Sequence, residues 1–359
     1  MIDSQPRRLL QIPGLGRKRI QAISAAWKEQ RRVRDVMVFL QSHGVGTGHA
    51  VRIYKEYGDD AIQMVRQDPY RLQRDVRGIG FQTADRIAED LGLARDAPER
   101  LRAGVRYMLA KASDDGHVFV PMEVLVSQVA TLLEVDDGLV PPAVQRLRGD
   151  DEIIVEGTNS DTRCYLRRLY RAETGVDDAL RRLITAAGPP LEQVMSEEAG
   201  DTIDLGPDQL RALEAVAASK VVVVTGGPGT GKTTVTRQIV ALLEASGLSV
   251  LLCSPTGRAA KRLAEATGRE ARTIHRVLEF APNEGGFRRD EDQPLDAGAL
   301  IVDEGSMIDI SLMNALLRAL PDPARLILVG DVDQLPSVGP GHVMGDIISS
   351  GTVAVARLR

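Results

Sequence analysis

The spacing of apolar and polar residues divides the chain into three regions that predict different elements. In residues 1–96, apolar residues recur every three to four positions, as on one face of a helix, and glycine turns interrupt them. Residues 97–185 combine helical spacing with short β-branched runs. In residues 186–359, strands alternate with helices from about residue 207, which is typical of a parallel α/β sheet. We therefore predict a multidomain chain with an all-α region, a small α+β module and an α/β domain.

The glycine turns of the first region form an internal repeat. The pattern Gly-apolar-Gly occurs three times, and small or apolar residues follow four and seven positions after the second glycine. The glycine pairs are Gly14 and Gly16, Gly44 and Gly46, and Gly78 and Gly80. This repeat resembles the helix-hairpin-helix motif of DNA repair and replication proteins, in which N–H groups at the start of the second helix hold a phosphate. The alternative is that the glycines serve only tight helix packing.

The middle region predicts a winged-helix-like module. A strand-like run at 116–121 follows a helix, and further helices lead to two runs at 153–155 and 163–166 that we expect to pair. The alternative is a linker domain with a purely structural role. A proline- and glycine-containing acidic stretch after residue 185 predicts the boundary with the α/β domain.

Composition excludes several classes of protein. The chain is 43% hydrophobic and 26% charged, which is ordinary for a globular protein and excludes a fibrous or wholly disordered one. Its apolar runs are far shorter than the ~20 residues of a membrane helix, and the N-terminus has no signal-peptide pattern. Two cysteines form neither a disulfide framework nor a four-cysteine zinc site. We expect a cytoplasmic protein without a structural metal.

Charge is distributed unevenly along the chain. Residues 1–111 hold 21 lysines and arginines against 13 acidic residues, whereas the remainder holds 24 against 37. A basic N-terminal region indicates contact with a polyanion, or else an arginine-rich helical surface that is only well solvated.

The α/β domain contains a phosphate-binding loop. A β-branched strand at 221–225 runs into a G-x4-G-K-T segment, and an amphipathic helix follows, which is the context that such a loop requires. Backbone N–H groups wrap the phosphates, Lys232 reaches the β and γ oxygens, and the Thr233 hydroxyl ligates Mg²⁺. The loop residues that we expect to bind nucleotide are Gly226, Gly227, Pro228, Gly229, Thr230, Gly231, Lys232, Thr233 and Thr234.

Two carboxylates complete the predicted nucleotide site. Asp303 and Glu304 follow an apolar strand, and ligands of such sheets bind at the carboxyl ends of the strands. Asp303 can hold Mg²⁺, and Glu304 can position and polarise the attacking water. This arrangement favours hydrolysis over phosphoryl transfer to another substrate.

Further segments resemble one family of P-loop proteins. They are the Ser-Pro-Thr-Gly-Arg run from Ser254, the Arg-Thr-Ile-His run ending at His275, the Asp-Glu-Gly-Ser-Met run from Asp303, and residues 330–341, which read Gly-Asp-Val-Asp-Gln-Leu-Pro-Ser-Val-Gly-Pro-Gly. Together they resemble superfamily 1 DNA helicases, most closely the RecD-like branch. The long stand-alone members of that branch also carry helix-hairpin-helix repeats ahead of the motor.

The resemblance implies roles for individual residues. Gln334 is similar to the glutamine that senses the γ-phosphate, and Gln209 to the glutamine that reads adenine, although Gln209 alone is also consistent with a surface residue. The residues that would line the single-strand track are Pro255, Thr256, Arg258 and His275. His275 is equally consistent with a packing role. These assignments make Lys232, Asp303, Glu304 and Gln334 the catalytic candidates, and Thr233 and Asp303 the metal ligands.

The family also implies features at two further places. A small β-hairpin near 281–297 would split the duplex, with Phe287 at its tip, and a disordered loop is the alternative. Ala is usual where Gly305 stands, a small change that should leave the carboxylates in place. The chain ends at Arg359, where the family continues into a second RecA-like domain that supplies arginines to the γ-phosphate. We therefore expect an incomplete motor that binds Mg-ATP and DNA weakly, hydrolyses slowly or not at all, and does not unwind DNA alone.

The sequence as a whole predicts an ATP-dependent DNA helicase. It would couple ATP hydrolysis to translocation on single-stranded DNA in repair or recombination, with 5′-to-3′ polarity implied by the resemblance. The expected cofactors are ATP and Mg²⁺, and the expected partners are single-stranded DNA and duplex junctions. We expect a monomer that does not bind a membrane. The alternatives are a DNA-binding adaptor whose nucleotide site acts as a switch, and another kind of P-loop ATPase.

Overall fold

The computed structural model of the chain describes residues 17–188, 191, 205–334 and 337–359. The first predicted glycine turn, with Gly14 and Gly16, lies outside the described residues. By contacts the chain divides into two compact units, of which one comprises residues 1–108 and 122–152 and the other comprises 109–121 and 153–359. The boundaries predicted from sequence stay a prediction about domain organisation. No helix in the described part of the chain has the length and apolar character to cross a membrane.

Helices build the first unit. Its helices are α1 (Arg17–Ser42), α2 (Thr47–Tyr57), α3 (Ala61–Gln67), α4 (Arg71–Asp75), α5 (Phe81–Asp90), the start of α6 (Pro98–Asp114), α7 (Met122–Leu133) and α8 (Val140–Gly149). The apolar faces of α2 and α5 are buried, as their spacing predicts. They share one core with side chains of α1, including Val36 and Leu40. The glycine turns at 44–46 and 78–80 therefore lead into helices packed on a common core.

A buried ion pair joins three helices of this unit. The Arg100 guanidinium donates through Nε and Nη2 to the two carboxylate oxygens of Asp85, both at 2.9 Å. Its Nη1 donates to the carbonyl of Leu133 at 2.8 Å, and the hydroxyl of Tyr70 donates to Asp85 at 2.5 Å. Only 7% of the Arg100 side chain is exposed. This network ties α5 and α6 to the end of α7.

A three-stranded antiparallel sheet lies in the second unit. It consists of β1 (Phe119–Pro121), β2 (Ile153–Glu156) and β3 (Arg163–Leu166) in the order β1-β3-β2. The predicted pairing of the 153–155 and 163–166 runs is confirmed. Along the chain, α6, β1, α7, α8, β2 and β3 follow one another in the order of a winged helix, and that assignment stays a prediction.

The rest of the second unit is a six-stranded parallel sheet with helices on both faces. Its helices are α9 (Arg167–Thr185), α10 (Pro207–Ala218), α11 (Lys232–Ala245), α12 (Gly257–Thr267), α13 (Ile274–Val277), α14 (Ile310–Ala319) and α15 (Val343–Ser350). Its strands are β4 (Val221–Gly226), β5 (Val250–Ser254), β6 (Ala271–Thr273), β9 (Ala299–Val302), β10 (Arg325–Gly330) and β11 (Ala354–Leu358), and a separate hairpin consists of β7 (Phe280–Ala281) and β8 (Gly286–Phe287). The strand order is β11-β4-β10-β9-β5-β6.

The valine run of β4 shows why this sheet is covered on both sides. Val221 and Val223 belong to the core that contains α9 and α14, whereas Val222 and Val224 belong to the core that contains α10 and α11. Successive residues of a strand point to opposite faces, so a strand buried on both faces shows a run of apolar residues and no alternation with polar ones. All neighbouring pairs in this sheet are parallel. The carboxyl ends of its strands therefore meet at one edge.

Candidate nucleotide and DNA-strand site

The phosphate-binding loop connects β4 to α11 at this carboxyl edge. Gly229 and Gly231 have φ of 80° and 85°, a left-handed conformation that favours glycine. A Cβ added to Gly226 would lie 2.8 Å from the carbonyl oxygen of Leu358, so this turn is tightly enclosed. The Lys232 ammonium donates to the carbonyls of Gly226 and Gly227 at 2.5 and 2.8 Å. The loop thus curls around Lys232, so the ammonium charge lies where phosphates are expected.

Gln209 lies against this loop, although it is 22 positions before Gly231 in the sequence. Its Oε1 accepts a hydrogen bond from the backbone N–H of Gly206 at 3.0 Å, which caps the start of α10. Its Nε2 points at the loop, since a Cβ on Gly231 would lie 2.3 Å from it. The structure brings the predicted adenine-reading glutamine to the nucleotide loop.

Asp303 and Glu304 directly follow β9, one strand away from the loop strand across β10. Asp303 donates its backbone N–H to the carbonyl of Cys253 at 2.9 Å, which continues the sheet to its last residue. Burial raises the pKa of the Asp303 carboxyl, the neighbouring charge of Glu304 raises it further, and the charges of Arg262 and Lys232 oppose this rise. The charge of Lys232 therefore favours the ionised form of the Asp303 carboxyl.

Glu304 has a strained backbone. Its φ is 56°, in the left-handed region that costs a residue with a Cβ about 1–2 kcal/mol. Such strain often marks functional positions. The adjacent Gly305 would accept an alanine Cβ at 3.4 Å from Met344 Sδ and from the carbonyl of Val329, which is close but tolerable contact.

Gln334 lies beyond β10, the strand between β4 and β9. Asp331, at the end of this strand, is 3% exposed and accepts the backbone N–H of Asp333 at 3.1 Å. Gln334 itself is exposed and lines a cavity of about 610 Å³ between residues 114–117 and 337–342. It therefore lies at the predicted edge of the sheet, and its contact with a nucleotide stays a prediction.

The predicted strand-track residues lie farther along the same edge. Pro255 and Thr256 follow β5, and the Thr256 hydroxyl caps α12 by accepting the backbone N–H of Ala259 at 3.3 Å. Arg258 lies in the first turn of that helix, and His275 lies in α13 after β6. Because β5 is next to β9 and β6 is next to β5, these residues continue the row that starts at the phosphate loop.

The expectation that Phe287 occupies the tip of a hairpin is wrong. The hairpin pairs Phe287 with Phe280, and residues 282–285, which contain a proline and a glycine, form its turn. The Phe287 ring lies 5.1 Å from that of Phe280 and 5.5 Å from that of His275. Phe287 also packs against the core of α9 and α14. Its role is to anchor the base of the hairpin.

The two described glycine turns of the first unit have matching geometry. Gly44 and Gly78 have φ of 73° and 87°, and Gly46 and Gly80 are the N-caps of α2 and α5. An added Cβ on Gly46 or Gly80 would meet nothing within 4 Å, so the surface at both helix starts is open. The structure thus has the open backbone that a helix-hairpin-helix motif needs, and its contact with DNA stays a prediction.

Each of these turns is covered by an arginine from the other repeat. Arg52 of α2 donates to the carbonyl of Arg77, next to Gly78, at 2.7 Å. In turn, a Cβ on Gly44 would lie 3.6 Å from Cδ of Arg86 in α5. Both arginines come six residues after the second glycine of their own repeat. Each repeat therefore supplies the arginine that covers the glycine turn of the other repeat.

Sequence reasoning missed several residues at the carboxyl edge. Arg262 of α12 lies 3.6 Å from Glu304. Asp331, at the end of β10, is a buried carboxylate that comes three residues before Gln334. The hydroxyls of Ser254 and Ser306 are buried without a hydrogen-bond partner in the described part of the chain. Of these residues, only Arg262 had a signal in the sequence, because its spacing of one helical turn from Arg258 places the two arginines on the same helix face. No cluster of three or more residues suited to a metal occurs within the ranges that the structure describes.

Comparisons with known proteins agree with this geometry. Residues 29–119 match the model of the ATP-dependent RecD2 DNA helicase HHH domain, and residues 209–340 match that of an AAA domain. The chain is 37% identical over 355 residues to the ATP-dependent RecD2 DNA helicase of Deinococcus radiodurans, a match that covers 95% of this chain and 49% of that protein.

Two further relatives match shorter parts of the chain. The RecBCD enzyme subunit RecD of Mycobacterium tuberculosis is 38% identical over 226 residues, which covers 55% of this chain and 39% of that protein. The ATP-dependent DNA helicase dda of phage T4 is 37% identical over 137 residues, covering 36% of this chain and 31% of the phage protein. The chain thus spans about half the length, or less, of the curated relatives that it matches. The chain therefore joins a RecD2-type helix-hairpin-helix domain to a P-loop helicase domain, and it is similar to RecD-like helicases.

Proposed function

We propose that this chain binds Mg-ATP and a DNA strand side by side and hydrolyses ATP as part of an ATP-dependent DNA helicase. The observation that supports this proposal most is the order of groups along one sheet edge. The phosphate loop follows β4, Asp303 and Glu304 follow β9, and the strand-track residues follow β5 and β6. We call the phosphate loop with Asp303 and Glu304 the nucleotide half of the site, and the residues after β5 and β6 the strand half. In this proposal the two halves share one sheet edge and meet at Glu304.

The residues of the nucleotide half fit a triphosphate with Mg²⁺. Glycines with left-handed φ at 229 and 231 turn the loop backbone inward, as a phosphate cradle requires. Thr233 and Asp303 offer the hard oxygen donors that Mg²⁺ prefers, and these two would hold the ion. When bound, Mg²⁺ neutralises charge on the phosphate oxygens.

The chain's own groups account for the remaining chemistry. The Lys232 ammonium exchanges its bonds to the loop carbonyls for phosphate oxygens and stabilises their developing charge. Glu304 orients a water molecule for attack and accepts its proton. Gln209 presents its amide N–H to the base, and Gln334 links the γ-phosphate to the strand half.

For the DNA half, we propose backbone contacts that do not depend on sequence. Thr256, Arg258 and His275 would track the phosphates of a single strand, and the turns at Gly46 and Gly80 would hold a duplex backbone. The 5′-to-3′ polarity of translocation, a monomeric state and a cytoplasmic location complete the proposal. The relatives named above support a role on DNA, because two of them are named ATP-dependent DNA helicases.

The proposal is tested with the 359-residue chain and two variants. With chain in excess over radiolabelled ATP, we expect slow hydrolysis that oligo-dT accelerates and no strand separation. Glu304→Gln should bind a fluorescent ATP analogue normally and hydrolyse at least ~100-fold more slowly, since a general base contributes about 10²–10⁴-fold. Lys232→Ala should lose nucleotide binding. A wild-type chain that does not bind the analogue would overturn the proposal.

A control separates loss of function from loss of folding. Arg181→Ala removes an exposed ion pair to Asp177 on α9, far along the chain from the predicted motifs, and should leave binding and hydrolysis unchanged. Nucleotide and DNA binding with no hydrolysis above the level of Glu304→Gln would favour the nucleotide-switch adaptor instead.

A further inference from the structure

One arginine connects the nucleotide half of the site to the strand half. Nη2 of Arg262 lies 3.6 Å from Oε1 of Glu304, the proposed general base. Arg262 is carried by α12, and this helix begins directly after Thr256, a proposed strand contact. A single rigid helix therefore starts at the DNA half and contacts the catalytic carboxylate one and a half turns later.

The exposed face of α12 places Arg262 within reach of a bound strand. The buried face of this helix consists of Ala259, Ala260, Leu263 and Thr267. Arg258 and Arg262 are four residues apart, so their Cβ atoms lie about 5–6 Å from each other on one face. A backbone phosphate held by Arg258 is therefore close enough to accept from Arg262 as well.

The contact between Arg262 and Glu304 is of the kind that a competing anion can displace. The Arg262 side chain is 66% exposed, and the Glu304 side chain is 23% exposed. Ion pairs in such surroundings are weak, because water screens them and the arginine loses rotamer freedom. A phosphate accepts stronger, bidentate hydrogen bonds from a guanidinium than a single carboxylate oxygen does at 3.6 Å.

We propose that Arg262 is a DNA-responsive positioning residue for ATP hydrolysis. Without a strand it holds the Glu304 carboxylate, and on strand binding its guanidinium moves to a backbone phosphate and releases Glu304 towards the attacking water. No bond of ATP is made or broken by Arg262 itself. This inference rests on the proposed function and adds the means by which DNA regulates that same site.

The first test is a binding cycle that needs no hydrolysis. The affinity of the full chain for a fluorescein-labelled dT oligonucleotide is measured by anisotropy without nucleotide. Glu304→Gln should tighten binding about two- to fivefold, the range expected for freeing one exposed ion pair. In the Arg262→Gln background the same change should have no effect, because the released guanidinium is gone.

A neighbouring lysine provides the matched control for this cycle. Lys261 is 80% exposed on the same helix, but its partner is Glu265 at 3.9 Å. In a Lys261→Ala background, Glu304→Gln should still tighten DNA binding. If Glu304→Gln tightens binding equally in all three backgrounds, the effect is general charge repulsion and the inference is overturned.

The second test compares hydrolysis with and without oligo-dT. Arg262→Gln should raise hydrolysis without DNA and reduce the stimulation by DNA towards onefold, whereas Arg262→Lys should restore much of the stimulation. A residue that is only structural would lower both rates together, and that result would contradict the inference. A wild-type chain that does not bind the oligonucleotide overturns the proposed function and this inference with it. If the wild-type chain binds the oligonucleotide but the effects of Glu304→Gln and Arg262→Gln on its affinity are additive, the inference alone is overturned and the proposed function stands.

Discussion

Replacing Arg100 with alanine should strongly destabilise the helical first unit. Both carboxylate oxygens of Asp85 accept from this guanidinium at 2.9 Å, and its third nitrogen donates to the carbonyls of Arg95 and Leu133 at 3.0 and 2.8 Å. The side chains of Arg100 and Asp85 are 7% and 15% exposed. In Arg100→Ala the Asp85 carboxylate stays buried, and among the described residues only the hydroxyl of Tyr70 still donates to it.

The size of the effect follows from this burial. Removing one partner of a buried ion pair costs about 3–5 kcal/mol, because the other charge is left desolvated without a partner. An exposed pair is different, since its members are solvated either way. Arg146 is 71% exposed and pairs with Asp150 at 3.5 Å one helical turn away, so Arg146→Ala should cost at most about 0.5 kcal/mol.

The assay is urea denaturation followed by the fluorescence of Trp27, the only tryptophan of the chain, which lies in the same unit on α1. We expect the transition of Arg100→Ala to move to much lower urea and that of Arg146→Ala to coincide with wild type. The double variant Asp85→Leu with Arg100→Met removes both charges and should lose less stability than Arg100→Ala. A loss below about 1 kcal/mol for Arg100→Ala would refute the reasoning, because the guanidinium would then not be a buried partner.

Three further predictions concern other parts of the chain. Gly231→Ala should weaken binding of a fluorescent ATP analogue at least ~10-fold, because φ of 85° costs alanine about 1–2 kcal/mol and the new Cβ would lie 2.3 Å from the amide of Gln209. Gly305→Ala is the control and should bind the analogue normally. Equal affinities of the two variants for the analogue would contradict this prediction. Burial raises the pKa of the Cys164 thiol to about 11, so a thiol reagent at pH 8 should modify it only after unfolding, and rapid labelling of the folded chain would be inconsistent with that burial. The hydrogen bond from Arg106 lowers the pKa of Glu152 below its ordinary 4.5, so this pair stabilises the chain above pH 4.5 and the stability is lost as pH falls through the lowered pKa. Arg106→Gln should therefore flatten the acid side of the stability profile below about pH 4.5, and an unchanged acid limb would argue against the pair.

Local sequence determined the elements whose residues carry their own structural signal. The valine run of β4 predicts a strand buried on both faces, and the glycines after it predict a loop that Cβ atoms would block. The same holds for the turns at Gly44 and Gly78, whose positive φ favours glycine. These signals are local, because backbone conformation and side-chain periodicity depend on neighbouring residues.

Short edge elements escaped prediction. The sheet ends on β6 and β11, with three and five residues, and neither shows the apolar run of the central strands. The hairpin at Phe280 and Phe287 was expected in about the right place, but the ring expected at its tip belongs to its base. An edge strand is half exposed, so its composition resembles that of a loop.

Only the tertiary structure decided which distant residues meet. Gln209 reaches Gly231 because α10 packs beside β4 and β11, and Arg262 reaches Glu304 because β5, which leads into α12, pairs with β9. Strand order brings about these contacts, and it depends on how all the apolar faces of the sheet are covered at once. Sequence therefore determined the glycine-rich loop and the two carboxylates after β9, whereas packing decided that Arg262 lies 3.6 Å from Glu304, the proposed general base.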